Sequence, residues 1–152
     1  AVSTSMLIAE MTAWHNLYGR TLIDALDELF ARFGYFEELT ENIMVNGTDG
    51  MERMQKAMQY LRENPPHEIS GFEVIACDDY LSGKRTIPDG KVNKLELSGS
   101  NVLAYDLQGG NRMLIRPSGT EPKIKVYALC HSSDASECLH TARRISRYKP
   151  EI

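Results

Sequence analysis

The chain has 152 residues, 42% of them hydrophobic and 25% charged, which suits one ordinary domain, or one domain with a piece of another, and argues against disorder. Its net charge of −4 is too small to point to nucleic acid or a membrane surface as a partner. No apolar run approaches the ~20 residues of a membrane span, no signal peptide is visible, and Cys77, Cys130 and Cys138 form no CxxC pair, so reduced, buried thiols in a cytoplasmic protein are expected.

The opening AVSTSMLIAE lacks an initiator Met and runs straight into an apolar-periodic segment, which predicts a piece of something longer. Val2, Met6, Ala9 and Ala13, with Leu7, Met11, Trp14 and Leu17 alongside, give a helix over 2–17 with a broad apolar face. Gly19 ends it. Thr21 caps a second helix with Asp24 near its first turn. Leu22, Ala25, Leu26, Leu29, Phe30 and Phe33 form its stripe, and Gly34 stops it.

A boundary is expected within GYFEELTENIMVNGTDG, near residues 35–39, with a short strand at 43–45. Asp49 and Glu52 predict a capping box for a helix over 50–63. Its stripe is Met51, Met54, Ala57, Met58 and Leu61, a core pattern rather than a ligand set. The prolines at 65 and 66 end that helix.

From Phe72 the period changes to that of a strand, 72–80. Residues 82–100 are rich in turn formers and predict a long loop. Three more strands follow, over 101–107, 112–116 and 124–130, the first two joined by QGGN as a tight hairpin. A last helix over 135–148 carries a second candidate capping box, Asp134 with Glu137. The order predicts an α+β fold. It is an antiparallel four-stranded sheet with two flanking helices on one face, preceded by two helices.

Charge is unevenly distributed. Residues 1–50 hold eight acids against Arg20 and Arg32, net −6, while residues 111–152 hold eight basic residues against four acids, net +4. The basic end suits an anion, or simply solvates a helix face with Arg143, Arg144, Arg147 and Lys149.

The chemistry concentrates in RMLIRPSGTEPKIKVYAL, residues 112–129. Arg116 ends a strand, so a rigid element holds its fork, and a guanidinium grips two phosphate oxygens at once. Ser118 and Thr120 supply hydroxyl donors, and Gly119 lets its backbone N–H approach a ligand closely. Pro117 and Pro122 stiffen the loop, which lowers the entropy cost of binding. Lys123 and Lys125 share a strand face with Tyr127 and extend the positive field. The competing reading is an ordinary polar turn in which Arg116 pairs with an acid such as Glu121.

The remaining candidates are weaker. His15, His67, His131 and His140 lack metal-ligand spacing. Asp78 and Asp79 suit a solvated strand end or turn cap better than an acid–base pair. SGKRT at 82–86 lacks the spacing of a nucleotide loop, and DGKVN at 89–93 lacks the acids of a calcium loop.

RPSGTEPKIKVY resembles the C-terminal signature of the α-D-phosphohexomutases, the phosphoglucomutase/phosphomannomutase superfamily. RENPPHEISGFEV followed by DYLSG, and SMLIAEM…GRTLIDALDELFARFGYF, are similar to its bacterial phosphoglucomutase branch in the same order. The resemblance implies a fourth domain of the TATA-binding-protein-like type over 37–152, with 1–36 a helical remnant of the third domain. It implies an intramolecular phosphotransferase that interconverts hexose 1- and 6-phosphates (glucose or mannose) through a bisphosphate, using Mg²⁺ and a phosphoserine carried elsewhere. By the same resemblance Arg116, Ser118, Gly119 and Thr120 contact the phosphate that is not transferred, with Lys125 and then Lys123 as further ligands. The phosphoserine, aspartate-rich metal and sugar-reading loops are not in this sequence. The piece is therefore expected to be inactive alone, to hold no metal, and to work with the remaining domains. The alternatives are a stand-alone module for phosphate or sulfate ligands and a non-catalytic interaction domain.

Overall fold

A computed structural model describes residues 2–150. The elements in chain order are α1 (Val2–Leu17), α2 (Leu22–Phe33), β1 (Tyr35–Met44), α3 (Gly50–Glu63), β2 (Glu68–Ile69), β3 (Phe72–Asp79), β4 (Lys84–Thr86), β5 (Val92–Lys94), β6 (Leu103–Leu107), β7 (Asn111–Pro117), β8 (Lys123–Ser132) and α4 (Ala135–Ser146). The chain divides into two compact units between residues 35 and 36.

The first unit is a pair of helices. Thr21 caps α2 reciprocally: its hydroxyl accepts from the Asp24 N–H at 3.2 Å, and the Asp24 carboxylate accepts from the Thr21 N–H at 2.7 Å. This satisfies two donors that a helix start leaves orphaned. Arg20 pairs with Glu28 at 2.6 Å. No residue of either helix is buried.

The second unit is the expected antiparallel α+β arrangement, with a wider sheet than the four strands predicted. Its order is β1-β8-β7-β6-β3-β4-β5, with β2 paired to β3, and every pair with a described register is antiparallel. β1 runs ten residues rather than the three expected at 43–45. Its acid-rich sequence reads as a linker, but a sheet edge tolerates charge and is often protected by it. The predicted loop 82–100 contains the hairpin β4–β5. Each of its strands is only three residues long, too short for a periodic signal.

Helices α3 and α4 cover one face. Met54, Ala57, Met58 and Leu61 of α3, with Cys138, Ala142 and Ile145 of α4, are buried. They face Leu103, Tyr105 and Leu107 of β6, Met113 and Ile115 of β7, and Ile124, Val126, Ala128 and Cys130 of β8, all buried. Strict alternation along β7 and β8 sends Arg112, Leu114, Arg116, Lys123, Lys125 and Tyr127 to the other face.

Neither expected capping box of this unit forms in full. Asp49 is the α3 N-cap but lies at φ −95, ψ 6 and makes no cap bond, while Glu52 pairs with Lys56 at 2.6 Å. Asp134 does cap α4, accepting from the Glu137 N–H at 2.8 Å. The return bond is relayed: Asp134 N–H donates to the Ser132 hydroxyl at 3.2 Å, which donates to Glu137 at 2.7 Å.

Candidate functional site

The turn between β7 and β8 closes on itself. Ser118 N–H donates to the Lys123 carbonyl at 2.9 Å and Lys123 N–H to the Glu121 carbonyl at 2.8 Å. The loop is propped from within. The Val45 N–H donates to the Pro122 carbonyl at 2.8 Å. Gly50, the first residue of α3, sits so close that a Cβ there would meet Pro122 Cβ at 2.9 Å and collide with the Val45 carbonyl. Glycine at 50 is what lets α3 start beneath the loop.

All six predicted site residues line one open cavity of about 330 Å³: Arg116, Ser118, Gly119, Thr120, Lys123 and Lys125, together with Pro117 and Glu121. The Ser118 hydroxyl oxygen accepts from the Thr120 N–H at 3.4 Å and the Glu121 N–H at 3.3 Å. Its lone pairs are therefore engaged inside the loop, and its proton is left to donate outward. A Cβ on Gly119 would meet nothing within 4 Å, so open space stands over that peptide.

Arg116 and Lys125 are directly opposite one another in the β7–β8 register. Like charges at facing positions repel, and among the described residues neither side chain has a carboxylate partner. The alternative of an Arg116–Glu121 pair is not what forms. Glu121 binds Lys123 instead, and that amine, helped by Lys125, holds the Glu121 carboxyl below its usual range. The sign follows: the pair contributes above the ordinary glutamate range and is lost as pH falls through the lowered value. Glu121 is fully exposed, so the contribution is small.

Further along the same sheet face is an ionic network that the sequence did not reveal. Arg85 donates to both oxygens of Asp78 at 3.1 Å and also binds Asp106. Arg112 donates to Asp78 at 2.8 Å and to the Tyr80 hydroxyl at 3.1 Å, and pairs with Asp106 at 3.1 Å. Asp78 is therefore not the solvated strand end expected; it is 2% exposed. The cause is a register shift in β3 between Val74 and Ala76. Val74 faces Leu107 on the helix side, but after the bulge Asp78 faces Ala104 on the open side. Asp79 does cap a turn, accepting from the Leu81 and Ser82 N–H groups at 3.1 and 3.3 Å, and it also receives Arg62 of α3 at 3.2 Å.

The histidines do not converge, and among the described residues no group of three His, Cys, Asp or Glu is placed to hold a metal ion. None of the three cysteines is in a disulfide; Cys130 and Cys138 are buried and Cys77 is half-buried. Burial, then the neighbouring Asp78 and Asp79 carboxylates, pushes the Cys77 thiol up to about 12, and burial pushes Cys130 up to about 11. No helix among the described residues is long and apolar enough to cross a membrane.

Residues 73–142 match the family model for the phosphoglucomutase/phosphomannomutase C-terminal domain. Phosphoglucomutases from Staphylococcus aureus strains N315 and Mu50 are each 34% identical over 128 residues, which is 84% of this chain and 23% of theirs. The chain belongs to the phosphohexomutase superfamily. It spans about a quarter of the length of those curated relatives. A crystal structure of the Paramecium phosphoglucomutase pp63/parafusin overlaps 87% of this chain and 25% of its own, at a TM-score of 0.43 and 16% identity, a likeness too loose to add more. Within this phosphohexomutase domain the matched segment contains the whole 116–125 loop.

Proposed function

We propose that this chain is the part of a phosphoglucomutase or phosphomannomutase that grips the non-reacting phosphate of a hexose phosphate while the other end is interconverted between 1- and 6-phosphate. The observation that carries this reading is the facing pair Arg116 and Lys125, neither of which has an ion-pair partner among the described residues, bordered by the hydroxyls and open peptide of 118–120. A dianion between them removes the repulsion, and each charged hydrogen bond it accepts is worth about 1.5–3 kcal/mol. Arg116 supplies a two-pronged contact, the Ser118 and Thr120 hydroxyls and the Gly119 N–H supply single ones, and Lys125 supplies charge. Lys123 joins when it lets go of Glu121.

Phosphoryl transfer depends on positioning and on stabilising charge. A clamp on the remote phosphate spends its binding energy on orienting the far end of the sugar. A clamp made of an arginine, hydroxyls and an amide recognises phosphate as such, so it accepts either end of a bisphosphate intermediate after the sugar turns round. The resemblance to the superfamily implies a Mg²⁺ ion and a phosphoserine. In this reading they belong to other domains of a longer cytoplasmic protein. The apolar side chains that α1 and α2 leave exposed, Met11, Trp14, Leu26 and Leu29 among them, would be covered by those domains, with residues 1–36 ending the preceding one.

Calorimetric titration with inorganic phosphate at low ionic strength tests the clamp. The reading expects weak saturable binding that competes with sulfate and falls at least about tenfold in Arg116→Ala, the cost of one charged hydrogen bond or more. Equal affinity in wild type and variant would remove Arg116 from the site.

A further inference from the structure

A second cavity, of about 250 Å³, shares Arg116 with the phosphate cavity and is otherwise lined by Glu38, Val102, Leu114, Tyr127 and Leu129. It lies on the sheet face that the helices leave open. Leu114 faces Tyr127 in the register as Arg116 faces Lys125, one same-face step away, about 7 Å along the strands. That step carries a ligand from its phosphate onto the group the phosphate esterifies. We infer that this cavity is a subsite for the neutral, hydroxyl-bearing ring of the phosphorylated ligand, so that the domain reads part of the sugar as well as the phosphate. This inference rests on the clamp reading above.

Three features select that occupant. The walls are largely apolar, and Tyr127 is an aromatic of the kind that offers a flat body with one polar tip. Glu38 is exposed and, among the described residues, has no hydrogen-bond or ion-pair partner for its carboxylate. An acceptor-only carboxylate accepts hydrogen bonds from hydroxyls and repels a second anion. The cavity is below the ~300–1,000 Å³ of sites for drug-sized ligands, as suits a single ring. A protein loop or a second phosphate satisfies these conditions less well: the first lacks the link to Arg116, and the second meets Glu38.

The test compares inorganic phosphate with glucose 6-phosphate on the full 152-residue chain by calorimetry. Glucose 6-phosphate is expected to bind roughly five- to tenfold tighter, the scale of one aromatic contact. Tyr127→Ser is expected to remove that gain while leaving inorganic phosphate affinity within about twofold. Glu38→Gln, an exposed change that leaves the sheet intact, is expected to remove part of the gain and keeps the test alive should the Tyr127 variant misfold. Equal binding of the two ligands in wild type, or a gain that survives both substitutions, overturns the subsite and leaves the clamp standing. Loss of both ligands in wild type overturns the clamp, and the subsite falls with it.

Discussion

Helices α1 and α2 and the sheet unit obey the same local rules but are held in different ways. The helix pair has a good reciprocal cap and an amphipathic α2, yet buries no residue. In the sheet unit α3 starts without a side-chain cap bond, and α4 has a direct cap whose return bond is relayed, yet both are fixed by the apolar side chains they press onto the sheet. Capping and propensity decide where a helix begins; tertiary packing supplies most of its stability. The candidate turn belongs to the packed unit, where a loop can be aimed and kept aimed.

The most disruptive way to break this contrast is Asp78→Ala. It leaves Arg85 and Arg112 with Asp106 as the one carboxylate they share among the described residues, and loss of one partner in a buried ion network costs about 3–5 kcal/mol. Urea unfolding followed by near-ultraviolet dichroism of the sheet tyrosines should show that loss. Capped α2 should keep its helical signal. A change under 1 kcal/mol would mean that the network does not support the sheet. Gly50→Ala is expected to cost about 1–3 kcal/mol through overpacking, because the new methyl meets the Val45 carbonyl and Pro122. It should also weaken phosphate binding by shifting the loop, whereas an equally destabilising core change elsewhere should not.

Smaller effects sharpen the comparison. Amide exchange should be at least about a hundredfold faster in α1 and α2 than in β6, β7 and β8. Equal protection would show that the helix pair is held by more than its own bonds. Because burial pushes Cys77 up to about 12 and Cys130 up to about 11, alkylation at pH 8 followed by mass spectrometry should be slow at both until the protein unfolds. Glu121→Gln releases Lys123 and removes the one acid in the clamp lining. It should tighten phosphate about two- to fivefold, the scale of an exposed ion pair.

The candidate loop was legible because its information is local. Two apolar strands bracket the donors at 116–120, and alternation alone places Lys123, Lys125 and Tyr127 on one face. What escaped was non-local. Nothing in GYFEELTENIM announces a partner strand some ninety residues later, and the short strands at 84–86 and 92–94 carry no period. The bulge after Val74 turns Asp78 away from the side that simple alternation gives it, so its arginine partners were invisible. Glu38 was unreadable for the same reason: only the position of β1 beside β8 brings it toward Arg116 and Tyr127.

The account depends on a dianion resting between Arg116 and Lys125. Crystals of this chain soaked in arsenate, with data collected at the arsenic absorption edge, test it directly. The predicted result is one dominant anomalous peak within hydrogen-bond reach of the Arg116 guanidinium, the Ser118 and Thr120 hydroxyls and the Gly119 N–H. A dominant peak on the basic residues of α4, with the 116–125 loop empty, would contradict it.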